Sequence, residues 1–267
     1  MEIRDQTIEP NLHSTNLYST SPHSTNRSTM ADTFLSARWE NLIMANYEVS
    51  PDVLKPYLPN GVELDSFNNK TYVSLVGFMF KQTSLFQIPI PFLGTFEEIN
   101  LRFYVKRVEG ALVKRGVVFI NETVPYKVVA WLANKLYKEH YIAIPTKNII
   151  RSTESVKGVR YEWKLNGEWN HLSVNAIKAN TTMLAGSIEE FIYEHYYGYT
   201  KLNDHLSQEY KVEHPRWLVN KVIEHSIHCD FKSMYGNNFS SLANQQPHSV
   251  IIAEGSTVNV KWKRTTF

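Results

Sequence analysis

From Ile99 to Val108 the chain alternates with a period of two: Ile99, Leu101, Phe103 and Val105 share one face, and Asn100, Arg102, Tyr104 and Lys106 the other. A strand sends successive side chains to opposite faces, whereas a helix would scatter this pattern around its circumference. Glu98 extends the polar face. Glu109-Gly110 then turns the chain into Ala111 to Ile120, so the segment predicts a hairpin. Similar punctuation recurs. Asn68-Asn69 precedes the apolar run Thr71 to Phe80, which predicts a strand buried on both faces, and Asn166-Gly167 joins Tyr161–Leu165 to Trp169–Val174. Near the C-terminus, Val250–Ala253 and Val258–Trp262 flank Glu254-Gly255, which predicts a further hairpin.

Helical signals are few. Ser50-Pro51 caps a short segment that Pro56 and Pro59 stop. After Pro125, Val129, Leu132, Ala133 and Leu136 fall on one helical face up to about His140. Ser187-Ile-Glu-Glu190 is a capping box for a helix expected to run to Tyr197 and end at Gly198. Lys81 to Phe96, broken by Pro89, Pro91 and Gly94, is expected to form a loop over apolar surface, either as the cover of a pocket mouth or as a packed connection. The balance predicts an α+β domain, mainly antiparallel β, with every strand pairing reachable through hairpins.

Residues 1–30 are rich in Asn, His, Ser and Thr and carry His-Ser-Thr-Asn twice, at His13 and at His23. Such a segment cannot bury enough apolar surface to offset its ordering entropy, so it is expected to be a disordered extension before a single domain over 31–267. Lys and Arg are scattered, for a formal net charge of +2, and form no basic stripe that nucleic acid would need. No apolar run reaches the roughly 18–20 residues of a membrane-spanning helix, and the N-terminus lacks the basic-then-apolar layout of a signal peptide. Cys229 is the only cysteine, which rules out an intrachain disulfide. Together these features predict a soluble cytoplasmic protein without nucleic-acid or membrane partners. A homo-oligomer is compatible with the sequence.

Glu98, Asn100 and Arg102 project to one side of their strand at about 6–7 Å intervals. Arg offers a planar fork for a carboxylate, and a buried Glu offers an acid or base. If that face lines a cavity, it suits a small organic acid; if it faces water, it is the solvated side of a sheet. Lys114, Lys127, Lys135 and Lys138 lie near the central hairpin and the following helix. A desolvated lysine among them could form a Schiff base, but each also reads as a surface lysine. His225, His228 and Cys229 are close in sequence, yet a strand would part His228 from Cys229 and no third ligand is evident, so no metal is expected. Nothing in the motifs calls for a cofactor, since no glycine-rich phosphate loop and no Gly-x-Ser-x-Gly elbow is present. Tyr193, Tyr196, Tyr197 and Tyr199 read as core aromatics.

Trp39, Leu54 to Leu64 and the strand Tyr72 to Phe80 begin a family pattern that is most specific in Phe96-x-Glu98-x-Asn100-x-Arg102-x-Tyr104-Val105. The pattern continues through Gly116–Phe119, Val128–Leu136, Phe191–Tyr196, His214-Pro-Arg-Trp217 and Ser249-Val250. From about residue 34 to its end the chain resembles the YqjF-like family of the acetoacetate decarboxylase-like superfamily, a family whose own activity is unassigned. The resemblance implies a curved, cone-like or partly open β barrel with a few outer helices and an internal cavity, into which Glu98, Asn100 and Arg102 point. Acetoacetate decarboxylases use a glutamate on the comparable strand, where Glu98 stands, and a Lys-Lys pair after the comparable helix. Here that stretch reads Lys138-Glu-His-Tyr-Ile142, with His140 and Tyr141 near the expected position and the lysine pair absent. The implied function is binding, with or without transformation, of a small organic or keto acid. Glu98 would be the acid–base group, and Asn100, Arg102, Tyr104, His140 and Tyr141 the binding residues. The alternatives are a Schiff-base lyase with Lys138 as a relocated lysine, or a non-catalytic structural or interaction protein.

Overall fold

A computed structural model of the chain describes residues 32–267. The expected N-terminal extension therefore lies outside the described residues. The strands are β1 (Thr33–Val49), β2 (Glu63–Leu64), β3 (Thr71–Leu85), β4 (Ile88–Pro89), β5 (Phe96–Glu109), β6 (Leu112–Val124), β7 (Tyr141–Ala143), β8 (Thr146–Ser152), β9 (Val156–Leu165), β10 (Glu168–Thr182), β11 (Tyr197–Lys201), β12 (Ser207–Glu213), β13 (Leu218–His228) and β14 (Ser249–Thr266). Short helices span Pro51–Leu54, Lys127–Tyr137, Ile188–Tyr193 and Phe231–Tyr235.

Seven strands follow one another in the order β1-β3-β5-β6-β11-β12-β14, and pairing of β14 with β1 closes them into a ring. From β14 an arm branches through β13, β10 and β9 to the edge strand β8. The pairings are antiparallel except β6 with β11 and β6 with β7. The expected rule that hairpins account for every pairing is thus corrected: ring closure joins β1 to β14 at opposite ends of the domain, and β11 meets β6 in parallel after the helical excursion.

Both faces of the shared wall β1, β3 and β5 are buried, for different reasons. One face contributes Ile43, Ala45, Val73, Leu75, Ile99, Leu101 and Phe103 to a core completed by Val159, Tyr161, Trp163, Leu172 and Val174 of the arm. The opposite face turns Leu42, Met44, Val76, Phe78 and Phe80 into the ring. At Gly77 the arm comes close enough that an added Cβ would lie 2.6 Å from the Tyr161 ring, so glycine is what lets the two layers meet. The Tyr161 hydroxyl donates to the Asn41 carbonyl at 3.0 Å and pins the same junction.

Thr71 to Phe80 is buried at every position, as the apolar run predicts. The turns at Asn68-Asn69 and Asn166-Gly167 adopt positive φ, the conformation these residues tolerate best. Two expectations fail for local reasons. Glu254-Gly255 makes no hairpin: β14 runs unbroken, and Gly255, at φ +85°, bends the strand opposite Glu40 while the pairing with β1 continues on both sides. The capped helix stops at Tyr193, and Gly198 lies inside β11, where Tyr210 packs directly over it and leaves no room for a side chain. The stretch Lys81–Phe96 is partly strand, because β3 continues to Leu85 and β4 folds back on it.

Candidate functional site

The ring encloses a cavity of about 150 Å³. That is comparable to a cavity that accepts benzene, so a ligand of about six to eight heavy atoms fits. Its walls are largely aromatic and aliphatic, with Trp39, Phe78, Phe80, Phe96, Phe119 and Trp217 prominent. Val129, Leu132 and Ala133 of the helix Lys127–Tyr137 contribute their apolar face, as the helical spacing predicts. Thr83, Leu85 and Ile90 from the β3–β4 region complete one side.

The polar groups form a connected line. Glu98, Asn100 and Arg102 all line the cavity. Across the sheet Asn100 pairs with Glu122 on β6, and Glu122 with Tyr141 on β7, so three polar side chains stand in one row. Asn134, at the end of the helix, fixes Tyr141 by donating to its carbonyl at 2.8 Å and accepting from its amide at 2.7 Å. The Tyr141 hydroxyl donates to Glu98 Oε2 at 3.1 Å, and Asn100 Nδ2 donates to Glu98 Oε1 at 2.9 Å. Glu139 reaches the same space and accepts from Thr200 at 2.7 Å and Tyr210 at 3.1 Å. At the other end Arg102 Nη2 donates to the Ile192 carbonyl at 3.1 Å and lies 3.3 Å from Met44 Sδ. Its Nε is buried without a partner.

Burial governs the protonation of this site, because a desolvated carboxylate is costly. It pushes Glu98 up to about 7 against the hydrogen bonds from Asn100 and Tyr141 and the charge of Arg102. It raises Glu139 to about 7 against its two hydroxyl donors, with the Glu98 charge adding to the rise. Glu122 stands well above the carboxylate range through burial and the charges of Glu139 and Glu98. His195, another wall residue, is lowered to about 4 mainly by burial, although its Nε2 lies 3.4 Å from Asp65 Oδ2. The site at neutral pH therefore holds a neutral histidine and carboxyl groups poised between acid and base. Perturbed groups gathered around a cavity make it the candidate functional site.

Of the residues singled out in the sequence, Glu98, Asn100, Arg102 and Tyr141 are brought together here. Tyr104 sits on the same strand face one step farther along, its hydroxyl shared with Ser74 at 2.5 Å. Lys138 and His140 are exposed. Lys138 adopts φ +61° as the cap of the helix, and that left-handed turn carries Glu139 inward and leaves both neighbours outside. Lys114 pairs with Glu109 and Glu209, and Lys127 and Lys135 are exposed. None of the described residues lining the cavity is a lysine. His225 and His228 are exposed while Cys229 is buried, and among the described residues no group of three or more His, Cys, Asp or Glu side chains is placed to hold a metal.

Glu122, Glu139, Tyr210 and His195 were not singled out. Counting back from the Glu109-Gly110 turn would set Asn121 opposite Asn100. An irregularity between Leu101 and Arg102 inserts Ile120 and sets Glu122 there instead.

The uncharacterized protein YqjF of Bacillus subtilis (strain 168) is 25% identical over 193 residues, which span 71% of this chain and 76% of that protein. Among solved structures, an acetoacetate decarboxylase-like enzyme from Sphingomonas wittichii RW1 is similar with a TM-score of 0.60 at 10% identity, covering 93% of this chain and 99% of its own. Acetoacetate decarboxylase from Legionella pneumophila gives 0.58 at 10% identity, covering 88% and 87%. The enduracididine biosynthesis enzyme MppR, complexed with pyruvate, gives 0.59 at 12% identity, covering 93% and 98%. At these identities the likeness establishes an acetoacetate decarboxylase-like fold, in which the ring and its arm are the expected curved, mainly antiparallel architecture. A family model for DUF2071, described as an uncharacterized conserved protein, matches residues 36–257, and the chain belongs to that family.

Proposed function

We propose that the ring cavity binds a small organic or keto acid, with its carboxylate on Arg102 and Glu98 in reach as the acid–base group. The observation that carries this reading is Arg102 itself. It is the cavity's one arginine or lysine among the described lining residues, anchored at Nη2 and left with a buried, unpartnered Nε. A guanidinium in an aromatic pocket gains more from a carboxylate than it would in water. MppR, similar in fold, has been seen with pyruvate, which supports a small acid of that kind. With no lysine among the described wall residues, the proposed chemistry proceeds without an imine: Glu98 gives or takes a proton beside the bound acid, helped by the neighbouring Tyr141 hydroxyl.

Calorimetric titration with pyruvate, acetoacetate and butanoate tests this, with Trp39 and Trp217 fluorescence as a second readout at the cavity wall. Wild type is expected to bind one or more of these acids, and Arg102→Ala to lose binding while remaining folded. Borohydride treatment with the keto acids is expected to leave no adduct. Arg102-independent binding would overturn the assignment, and a reduced adduct on a lysine would overturn the imine-free chemistry.

A further inference from the structure

Arg102 accounts for one end of the cavity, and the opposite end has the reverse character. Glu98, Glu122 and Glu139 converge there from β5, β6 and the turn before β7. Glu98 has both oxygens engaged, by Asn100 and by Tyr141, and Glu139 accepts from two hydroxyls. Glu122 differs: it is 2% exposed, and its Oε2 has no hydrogen-bond partner. Asn100, its cross-strand neighbour, is also 2% exposed, and its Oδ1 is likewise without a donor. Two adjacent buried oxygens on the wall of a cavity need a hydrogen between them: without a ligand the proton on Glu122, whose carboxyl stands well above its usual range, supplies it, and a donor on a ligand can take that proton's place.

Groups around this end narrow what that ligand donor is. Tyr141 and Tyr210 give their hydroxyl hydrogens to Glu98 and Glu139, Tyr141 also lying beside Glu122, and the rings of Phe96 and Tyr137 belong to the same lining, the buried Tyr137 hydroxyl without a partner. Carboxyl oxygens, an amide oxygen and aromatic faces together suit a nitrogen cation, which offers several hydrogens and positive charge at once.

We propose that the ligand is bipolar: its carboxylate lies on Arg102, and a cationic nitrogen, a primary ammonium or guanidinium, lies against Glu122 Oε2 and Asn100 Oδ1. The proposal rests on the Arg102 reading of the site and extends it to the substrate class, an ω-amino or ω-guanidino organic acid. Binding of the cation draws a proton from the buried carboxyl groups, because a positive neighbour favours their ionised form. The carboxyl O–H bond breaks, its proton leaves to solvent and its electron pair stays on the carboxylate, while the ligand is covalently unchanged.

Matched pairs of probes test it on the full chain: butanoate against γ-aminobutanoate, and pentanoate against δ-aminopentanoate. In wild type at least one amino acid of a pair should bind about tenfold or more tighter than its parent acid. Glu122→Gln should erase that preference and leave affinity for the parent acid nearly unchanged. Calorimetry in two buffers of different ionisation enthalpy, which needs no variant, should show proton release with the amino acid and none with the parent. Equal affinity within both pairs, together with loss of both in Arg102→Ala, would overturn the bipolar ligand while the Arg102 reading stands. Binding that ignores Arg102→Ala, or no binding by any of the four acids, would overturn both.

Discussion

The two faces of β5 are both buried and do opposite work. Ile99, Leu101 and Phe103 are fully buried, carry no polar atoms in their side chains, and pack against the arm, so their neighbours satisfy them completely. Glu98 and Asn100, on the same strand, are buried as closely and Arg102 is half-buried, yet Asn100 Oδ1 and the buried Arg102 Nε lack partners. The first face is finished by the fold. The second is not, and burying polar groups incompletely costs stability that a purely structural strand would have no reason to forgo. The contrast separates what holds the molecule together from what it holds.

The largest effect that would sharpen this contrast is on stability. Phe103→Ala, on the dry face, should cost about 3–5 kcal/mol by chemical denaturation, through lost burial and the cavity left behind. A much smaller loss would mean that the arm layer is not the core. Next, Gly77→Ala should destabilise by about 1–3 kcal/mol, since its Cβ would press on Tyr161 and force the layers apart. Unchanged denaturation would show that the layers are free to shift.

On the polar face the sign changes with pH. Burial lifts Glu98 and Glu139 to about 7 in the folded chain, above their ordinary range. From about pH 5 to 7 the native state therefore holds protons that the unfolded chain has released. These groups stabilise fully below that window, and their contribution fades as pH rises through it. The share of Glu98 and Glu139 in the urea midpoint should fall over that interval, against an opposing rise from His195, which is lowered to about 4, and Glu98→Gln, which cannot ionise, should reduce the fall. A midpoint contribution from Glu98 that rises with pH would contradict the assignment. Smallest of all, Lys138→Ala should change stability by less than about 0.5 kcal/mol and leave acid binding intact, because the side chain is exposed outside the cavity. Loss of binding in that variant would return the lysine to the chemistry.

The strands were legible wherever one residue decided the geometry. Alternation in Ile99–Val108, the Asn166-Gly167 turn and the capped start at Ser187 all appear as the side chains dictate. What alternation could not tell was which side of β5 met water, because a polar face toward solvent and a polar face toward a cavity give the same pattern; the family resemblance supplied that direction. Where the outcome depended on pairing with distant chain, the sequence was silent. Gly255 looks like a hairpin turn until β1 is laid beside it, and Gly198 like a helix stop until β6 and Tyr210 claim it. Glu122 was hidden by one inserted residue, and Glu139 by the left-handed turn at Lys138. In each case the deciding contact is tertiary, and no local pattern encodes it.

The most direct test of the central claim compares two arginines of β5. Arg102 lies on the cavity wall, while Arg107 pairs with Glu109 and Glu209 away from it. The dissociation constant of the best-binding acid should rise about tenfold to a hundredfold in Arg102→Ala, the range expected for a lost charged hydrogen bond. In Arg107→Ala it should stay unchanged. Equal effects in the two variants, or none in Arg102→Ala, would contradict the account and leave the polar face of β5 without a ligand.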